Sequence, residues 1–136
     1  MKISTKGRYG LMLLVDLAMN EAGSPVSLKS IADRQGLSEH YLEQLIAPLR
    51  NAGFVRSIRG AYGGYVLAKA TTDIRVSDII FTLEGPVTIV DEDLDDGLDE
   101  LWRRLRDAIV NVLESLTLQD LVDMKNQGGD MVMYYI

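Results

Sequence analysis

The sequence predicts a mainly α fold with a small β-wing: a winged helix-turn-helix over residues 1–84, followed by a long dimerisation helix. Three observations carry this. Two short amphipathic segments are separated by Gly36-Leu37-Ser38, the spacing of a helix-turn-helix. Two short β-prone runs flank the glycine-rich Gly60-Ala61-Tyr62-Gly63-Gly64. Beyond residue 97, apolar residues recur at three-and-four spacing for nearly three heptads.

The first helix is predicted over residues 9–19, where Leu11, Leu14, Val15 and Ala18 fall on one face. Gly23-Ser24-Pro25 breaks it. Ser27 is placed to cap a second helix from Leu28 to Gln35, with Leu28, Ile31 and Ala32 inward and Gly36 ending it. Ser38 caps a third helix running to about Ala52, with Gly53 after it. Its buried stripe reads Leu42, Leu45, Ile46 and Leu49, and its other face carries Glu39, His40, Glu43, Gln44, Ala47 and Arg50. Residues 54–59 and 65–67 form the wing strands, and a fourth helix spans about Ser77 to Leu83 before Gly85-Pro86.

Residues 85–97 form an acidic loop, and residues 98–126 supply dimerisation helices. The first runs from about Leu98 to Leu116, and its stripe of Leu101, Trp102, Leu105, Ile109, Val112, Leu113 and Leu116 suits packing against another helix. An aliphatic stripe with one Trp also lines ligand pockets, but it more often forms interface core. Thr117-Leu118-Gln119-Asp120 starts a last, short helix. Gln127-Gly128-Gly129-Asp130 then releases an apolar tail over residues 127–136.

Composition narrows the chemistry. A chain of 136 residues with 47% hydrophobic and 25% charged residues is an ordinary globular domain. No apolar run is long enough to span a bilayer, and no secretory leader is evident, so the cytoplasm is expected. Cysteine is absent, which excludes disulfides and thiolate metal sites, and His40 is the single histidine. With no nucleophile–base pair and no metal cage in view, an enzyme is not expected, and no cofactor is called for.

The net charge of −6 is unusual for a chain that binds a polyanion. It is unevenly spread. Residues 1–70 hold nine Lys and Arg against five acids, giving +4, whereas residues 71–136 hold five against fifteen, giving −10. A basic half facing double-stranded DNA and an acidic half held away from it fit this asymmetry. Within the basic half, Glu43 suits cytosine N4 and Gln44 suits adenine or a bridging water, His40 and Tyr41 reach phosphate or a thymine methyl, and Ser38 is a further DNA-binding candidate. Lys29, Arg50 and Arg56 attract phosphates, and Arg59, with Tyr62 beside it at the wing tip, is placed for a minor groove. The plainer alternative for His40 and Glu43 is a solvated helix face.

The acidic run from Asp91 fails as an EF-hand. Its sixth position is Asp96 where glycine is needed, and its twelfth is Trp102 where a carboxylate is needed.

Three stretches resemble the Rrf2 family of winged-helix regulators: residues 1–9 (Met-Lys-Ile-Ser-Thr-Lys-Gly-Arg-Tyr), residues 37–45 (Leu-Ser-Glu-His-Tyr-Leu-Glu-Gln-Leu) and residues 59–65 (Arg-Gly-Ala-Tyr-Gly-Gly-Tyr). The likeness covers nearly the whole chain. Arg50-Asn51-Ala52-Gly53, Leu83-Glu84-Gly85-Pro86 and Tyr135-Ile136 look like the branch that represses cysteine-metabolism genes. The resemblance implies a homodimer on a partly palindromic promoter site, with Glu43 and Gln44 in the major groove and Arg59 in the minor groove. Many members hold an iron–sulfur cluster on three cysteines before the long helix. Residues 85–100 have none, so neither cluster sensing nor thiol oxidation carries over.

The branch also implies a partner, the cysteine synthase CysK, whose active site accepts the C-terminal isoleucine of serine acetyltransferases. Tyr134, Tyr135 and Ile136 are the matching candidates here. The tail equally admits packing on its own dimer. A rival reading makes the chain an inhibitor of the synthase, with DNA binding secondary.

Overall fold

The computed structural model describes residues 2–90 and 96–134, and for 129–134 the backbone alone. Six α-helices and a two-stranded antiparallel sheet follow in the order α1, α2, α3, β1, β2, α4, α5, α6, with one turn of 3-10 helix over Thr71–Asp73. This is the mainly α fold with a β-wing that the sequence predicts.

Helix α1, Thr5–Asn20, begins a full turn earlier than the apolar pattern suggests, because Ser4 caps it by accepting from the Gly7 amide at 3.2 Å. The Glu84 carboxylate, at the end of α4 (Val76–Glu84), accepts from both the backbone and the hydroxyl of Ser4, which anchors that extra turn. Gly7 and Gly10 let α1 lie directly on α4: a Cβ on Gly10 would collide with Leu83, and one on Gly7 with Glu84.

Helix α2, Leu28–Gln35, and helix α3, Glu39–Asn51, take the expected caps from Ser27 and Ser38. Gly36 sits at φ +67 between them, and the Leu37 amide donates back to the Ala32 carbonyl, so the turn is tight because glycine tolerates the left-handed region. Pro48 lies inside α3, where it supplies no amide hydrogen to the Gln44 carbonyl one turn earlier.

Strands β1, Val55–Ile58, and β2, Gly64–Leu67, pair from Val55 opposite Leu67 to Ile58 opposite Gly64. Val26, just before α2, adds a bridge to Tyr65 with reciprocal backbone bonds of 2.9 and 2.8 Å. Gly64 permits it, since a Cβ there would strike the Val26 backbone. The Leu67 amide donates to the Glu21 carboxylate at 2.7 Å, so the wing is fastened to both ends of the α1–α2 connection.

The core joins Leu13, Leu14 and Leu17 of α1 to Ile31, Leu42, Leu45 and Leu49, and then to Ile79, Leu83 and Leu118. Helix α4 spans Val76–Glu84, and α5 spans Asp99–Ser115 with no buried residue along its length. Leu116 falls just outside α5 in extended backbone, where its carbonyl accepts from the Val76 amide at 2.9 Å. Thr117 and Asp120 cap each other reciprocally at 2.8 and 3.3 Å and start α6, Leu118–Tyr134.

That last helix is longer than predicted. It passes through Gly128 and Gly129 and carries the backbone to Tyr134, so the glycines do not release a tail there. Glycine in a helix costs only about 1 kcal/mol relative to alanine, and α6 has packing to offset it: Leu118 is fully buried and Leu121 leans on the core. An apolar cleft of about 600 Å³ opens between α1, the end of α2 and α6, lined by Leu11, Val15, Met19, Leu121 and Met124.

Candidate nucleic-acid interface

The outer face of α3 is exposed and self-organised. His40, Glu43 and Gln44 project from successive turns, as i, i+3 and i+4 neighbours do. The His40 Nε2 and Gln44 Nε2 atoms are 3.3 Å apart, and His40 Nδ1 lies 3.9 Å from the Glu43 carboxylate. The two candidate base readers therefore flank the histidine. Ser38, at the start of the helix, spends an oxygen lone pair on the Tyr41 amide at 3.0 Å, and its hydroxyl hydrogen stays free to donate.

Tyr41 is half-buried, its ring edge-on to Tyr9 of α1 at 6.0 Å and 89°. Arg8 lies over the other ring of that pair, 5.7 Å from the Tyr9 centroid. The sequence does not single out Arg8, yet this stack carries the α3 surface onto α1. Its signal was the aromatic at residue 9, placed ahead of an otherwise aliphatic helix.

Lys29 on α2, Arg50 at the end of α3, Arg56 on β1 and Arg59 after it are all exposed. Among the described residues none of these four is in a salt bridge, so their charges are available to phosphate. Tyr62 is 94% exposed at the wing turn, which closes by a 3.0 Å bond from the Gly63 amide to the Gly60 carbonyl. Tyr62, Ser27 and Ser30 border one polar groove between the wing and the start of α2, so the wing turn and α2 present a shared surface.

Behind this surface stands a buried pair absent from the sequence-derived candidates. Asp16 is only 4% exposed, and Arg34 of α2 reaches it with Nη2 at 2.6 Å and Nε at 3.0 Å. Gln35 adds a 2.8 Å bond and Asn20 a longer one at 3.4 Å. The hydrogen bond to Asp16 holds the Arg34 guanidinium further above its ordinary value, against the opposing effect of burial, with smaller help from the charges of Asp16 and Asp33. The signal was in the sequence: Asp16 sits three residues after Leu13 on the apolar face of α1.

On the opposite half, α5 displays its apolar stripe. Leu101, Leu105 and Val112 are 44%, 42% and 59% exposed, while Trp102, Ile109, Leu113 and Leu116 are half-buried. Trp102 donates to Asp96 at 3.4 Å, and Ala108, Ile109, Val112 and Leu113 frame a shallow apolar depression. The Tyr134 backbone ends α6, whereas Tyr135 and Ile136, like residues 91–95 of the acidic loop, lie outside the described residues. No described helix is long and apolar enough to cross a membrane.

Residues 3–124 match the model of the Rrf2 family, described as an iron-dependent transcriptional regulator. Across its whole length the chain is 54% identical to the full-length transcriptional regulator CymR of Bacillus subtilis. The solved structure of that protein, described as the global cysteine regulator, matches with a TM-score of 0.83 and 56% identity over 91% of this chain and 98% of the other. The IscR of T. potens matches with a TM-score of 0.80 and 48% identity, over 94% and 90%.

Iron held by thiolates does not fit this chain, which has no cysteine. Among the described residues no three His, Asp or Glu side chains cluster as metal ligands either. With a family model over most of its length and a full-length relative above half identity, the chain belongs to the Rrf2 family of transcriptional regulators.

Proposed function

We propose that this chain is a dimeric repressor of cysteine and sulfur-metabolism genes that needs no iron–sulfur cluster. The observation that carries the reading is the α3 face: exposed Glu43 and Gln44 beside cations on α2, α3 and β1 that make no salt bridge among the described residues, in a chain similar over its full length to a cysteine regulator. Glu43 and Gln44 read base edges in the major groove. Ser38, His40 and Tyr41 flank them, and Lys29, Arg50 and Arg56 grip phosphates. Arg59 enters a minor groove with Tyr62 alongside.

The α5 stripe of Leu101, Trp102, Leu105, Ile109, Val112 and Leu113 joins two copies, so two α3 helices meet successive major grooves. Leu116, tied to Val76, closes the end of that face. With no cysteine to sense oxidants, control passes to a protein partner, the cysteine synthase CysK. Its docking residues are Tyr134, Tyr135 and Ile136, at the end of the apolar run that starts at Met131.

The test is a fluorescence-anisotropy titration against a labelled sulfur-gene promoter and a scrambled duplex, at two salt concentrations, with and without CysK. Sequence-specific, salt-sensitive binding that CysK shifts is the expected result. Equal affinity for both duplexes would sink the repressor reading, and indifference to CysK would remove the partner.

A further inference from the structure

We propose that His40 determines which hydrogen-bonding face Gln44 offers to a base, so that operator preference at one position changes with pH. This rests on the reading above, in which Gln44 faces the major groove. The relay is visible in the helix: Glu43 lies beside His40 Nδ1 at 3.9 Å, and Gln44 Nε2 sits 3.3 Å from His40 Nε2.

Neutral imidazole has one donor nitrogen and one acceptor. Glu43 is an acceptor only; at 3.9 Å it makes no hydrogen bond, but its charge favours the tautomer with the hydrogen on Nδ1 and the lone pair on Nε2. Nε2 then accepts one hydrogen of the Gln44 amide. The amide keeps its carbonyl and its second hydrogen for a base, the pair that adenine needs at N6 and N7.

Protonation reverses the demand. Both ring nitrogens become donors, so Nε2 repels the amide nitrogen and attracts the amide oxygen. The amide turns over. Its nitrogen now faces the base six-position, where guanine offers an acceptor and adenine a donor. Histidine is the side chain whose charge ordinarily changes between about pH 5 and 8.

The groups around His40 favour this assignment. On its own helix the charged neighbours are Glu39 and Glu43, and on α1 Arg8 is held over Tyr9, the ring that meets Tyr41. Among the described residues no ion pair from α1, α2 or the wing reaches the imidazole, so the Glu43–His40–Gln44 set is self-contained.

The experiment selects binding sites from a randomised duplex library with the full chain at about pH 8. Selection with Gln44→Ala locates the position that Gln44 reads. A duplex pair carrying adenine or guanine there is then compared at about pH 8 and about pH 6. Wild type is expected to lose about fivefold or more of its adenine preference at the lower pH, from the scale of one bidentate base contact. His40→Ala keeps one preference at both. A general gain of affinity from the added charge raises both duplexes and leaves their ratio alone. An unchanged wild-type ratio overturns the proposal, and so does an equal shift in His40→Ala. Failure to select any site at either pH overturns the operator reading itself.

Discussion

Arg34 clasps Asp16 across the α1–α2 boundary, with Nη2 at 2.6 Å from one carboxylate oxygen and Nε at 3.0 Å from the other. The carboxylate is buried and the guanidinium is not: its side chain is 38% exposed. The pair thus fixes the angle at which the helix-turn-helix sits on α1. Removing Arg34 leaves a buried acid with only Gln35 and Asn20. Arg34→Ala should destabilise by about 3 kcal/mol, at the lower end for breaking a buried pair because Arg34 itself keeps contact with water. Urea unfolding measures it, and a midpoint unchanged from wild type would mean that the pair contributes nothing. Because the Asp16 carboxylate pushes Arg34 upward, Arg34's own titration leaves its contribution intact through the neutral range and removes it only above the ordinary arginine range. Stability should show no step attributable to Arg34 between about pH 6 and pH 9.

Specificity and affinity should separate by residue. Glu43→Ala is expected to relax discrimination at one base pair by about 1–3 kcal/mol while leaving scrambled duplex binding unchanged. Arg56→Ala should weaken all duplexes alike and lower the salt slope by about one. The two variants measured on matched duplex pairs check this. Identical behaviour would contradict the division of labour between α3 and β1.

Gly64→Ala should loosen the wing. The added Cβ meets the Val26 backbone, which cannot give as a flexible side chain would. A cost of about 1–3 kcal/mol is expected from overpacking, read as a lower Tm. Amide exchange should rise at Val26 and Tyr65, whose reciprocal bonds depend on that approach. Unchanged exchange at both amides would show that the bridge tolerates a side chain.

Val112→Glu places a charge on the exposed stripe of α5, at a residue 59% exposed on a helix that buries none of its own residues. Light scattering should report monomers at micromolar concentration, with circular dichroism unchanged. A dimer that persists would move the interface elsewhere, the cleft between α1 and α6 first.

The helix-turn-helix half was legible because its rules are local. Serine caps at residues 27 and 38, the left-handed Gly36 and the stripe from Leu42 to Leu49 are each fixed by neighbours within a turn or two. What the sequence hid depends on distant contact. Asp16 falls on the apolar face of α1, and no local rule announces that Arg34, eighteen residues on, meets it there. Ser4 started α1 early because Glu84 holds it from eighty residues away. Val26 became a third partner in the wing through Tyr65. Gly128 and Gly129 read as a break by propensity alone, whereas the packing of α6 on α1 carries the helix past them.

The bridge between Arg75 and Thr117 makes α5 an arm pinned at its far end. Arg75 Nη1 also donates to the Glu114 carbonyl at 2.7 Å, so the last turn of α5 is riveted to the first residue before α4. Its 17 residues reach about 25 Å outward from that rivet. In a dimer joined along α5, such an arm is a ruler. The separation of the two α3 helices is set by where along it the copies cross, and one residue added within α5 would swing everything beyond it by about 100°. On the proposed dimer, operator half-site spacing is set by the length of α5 rather than by the helix proposed to read bases.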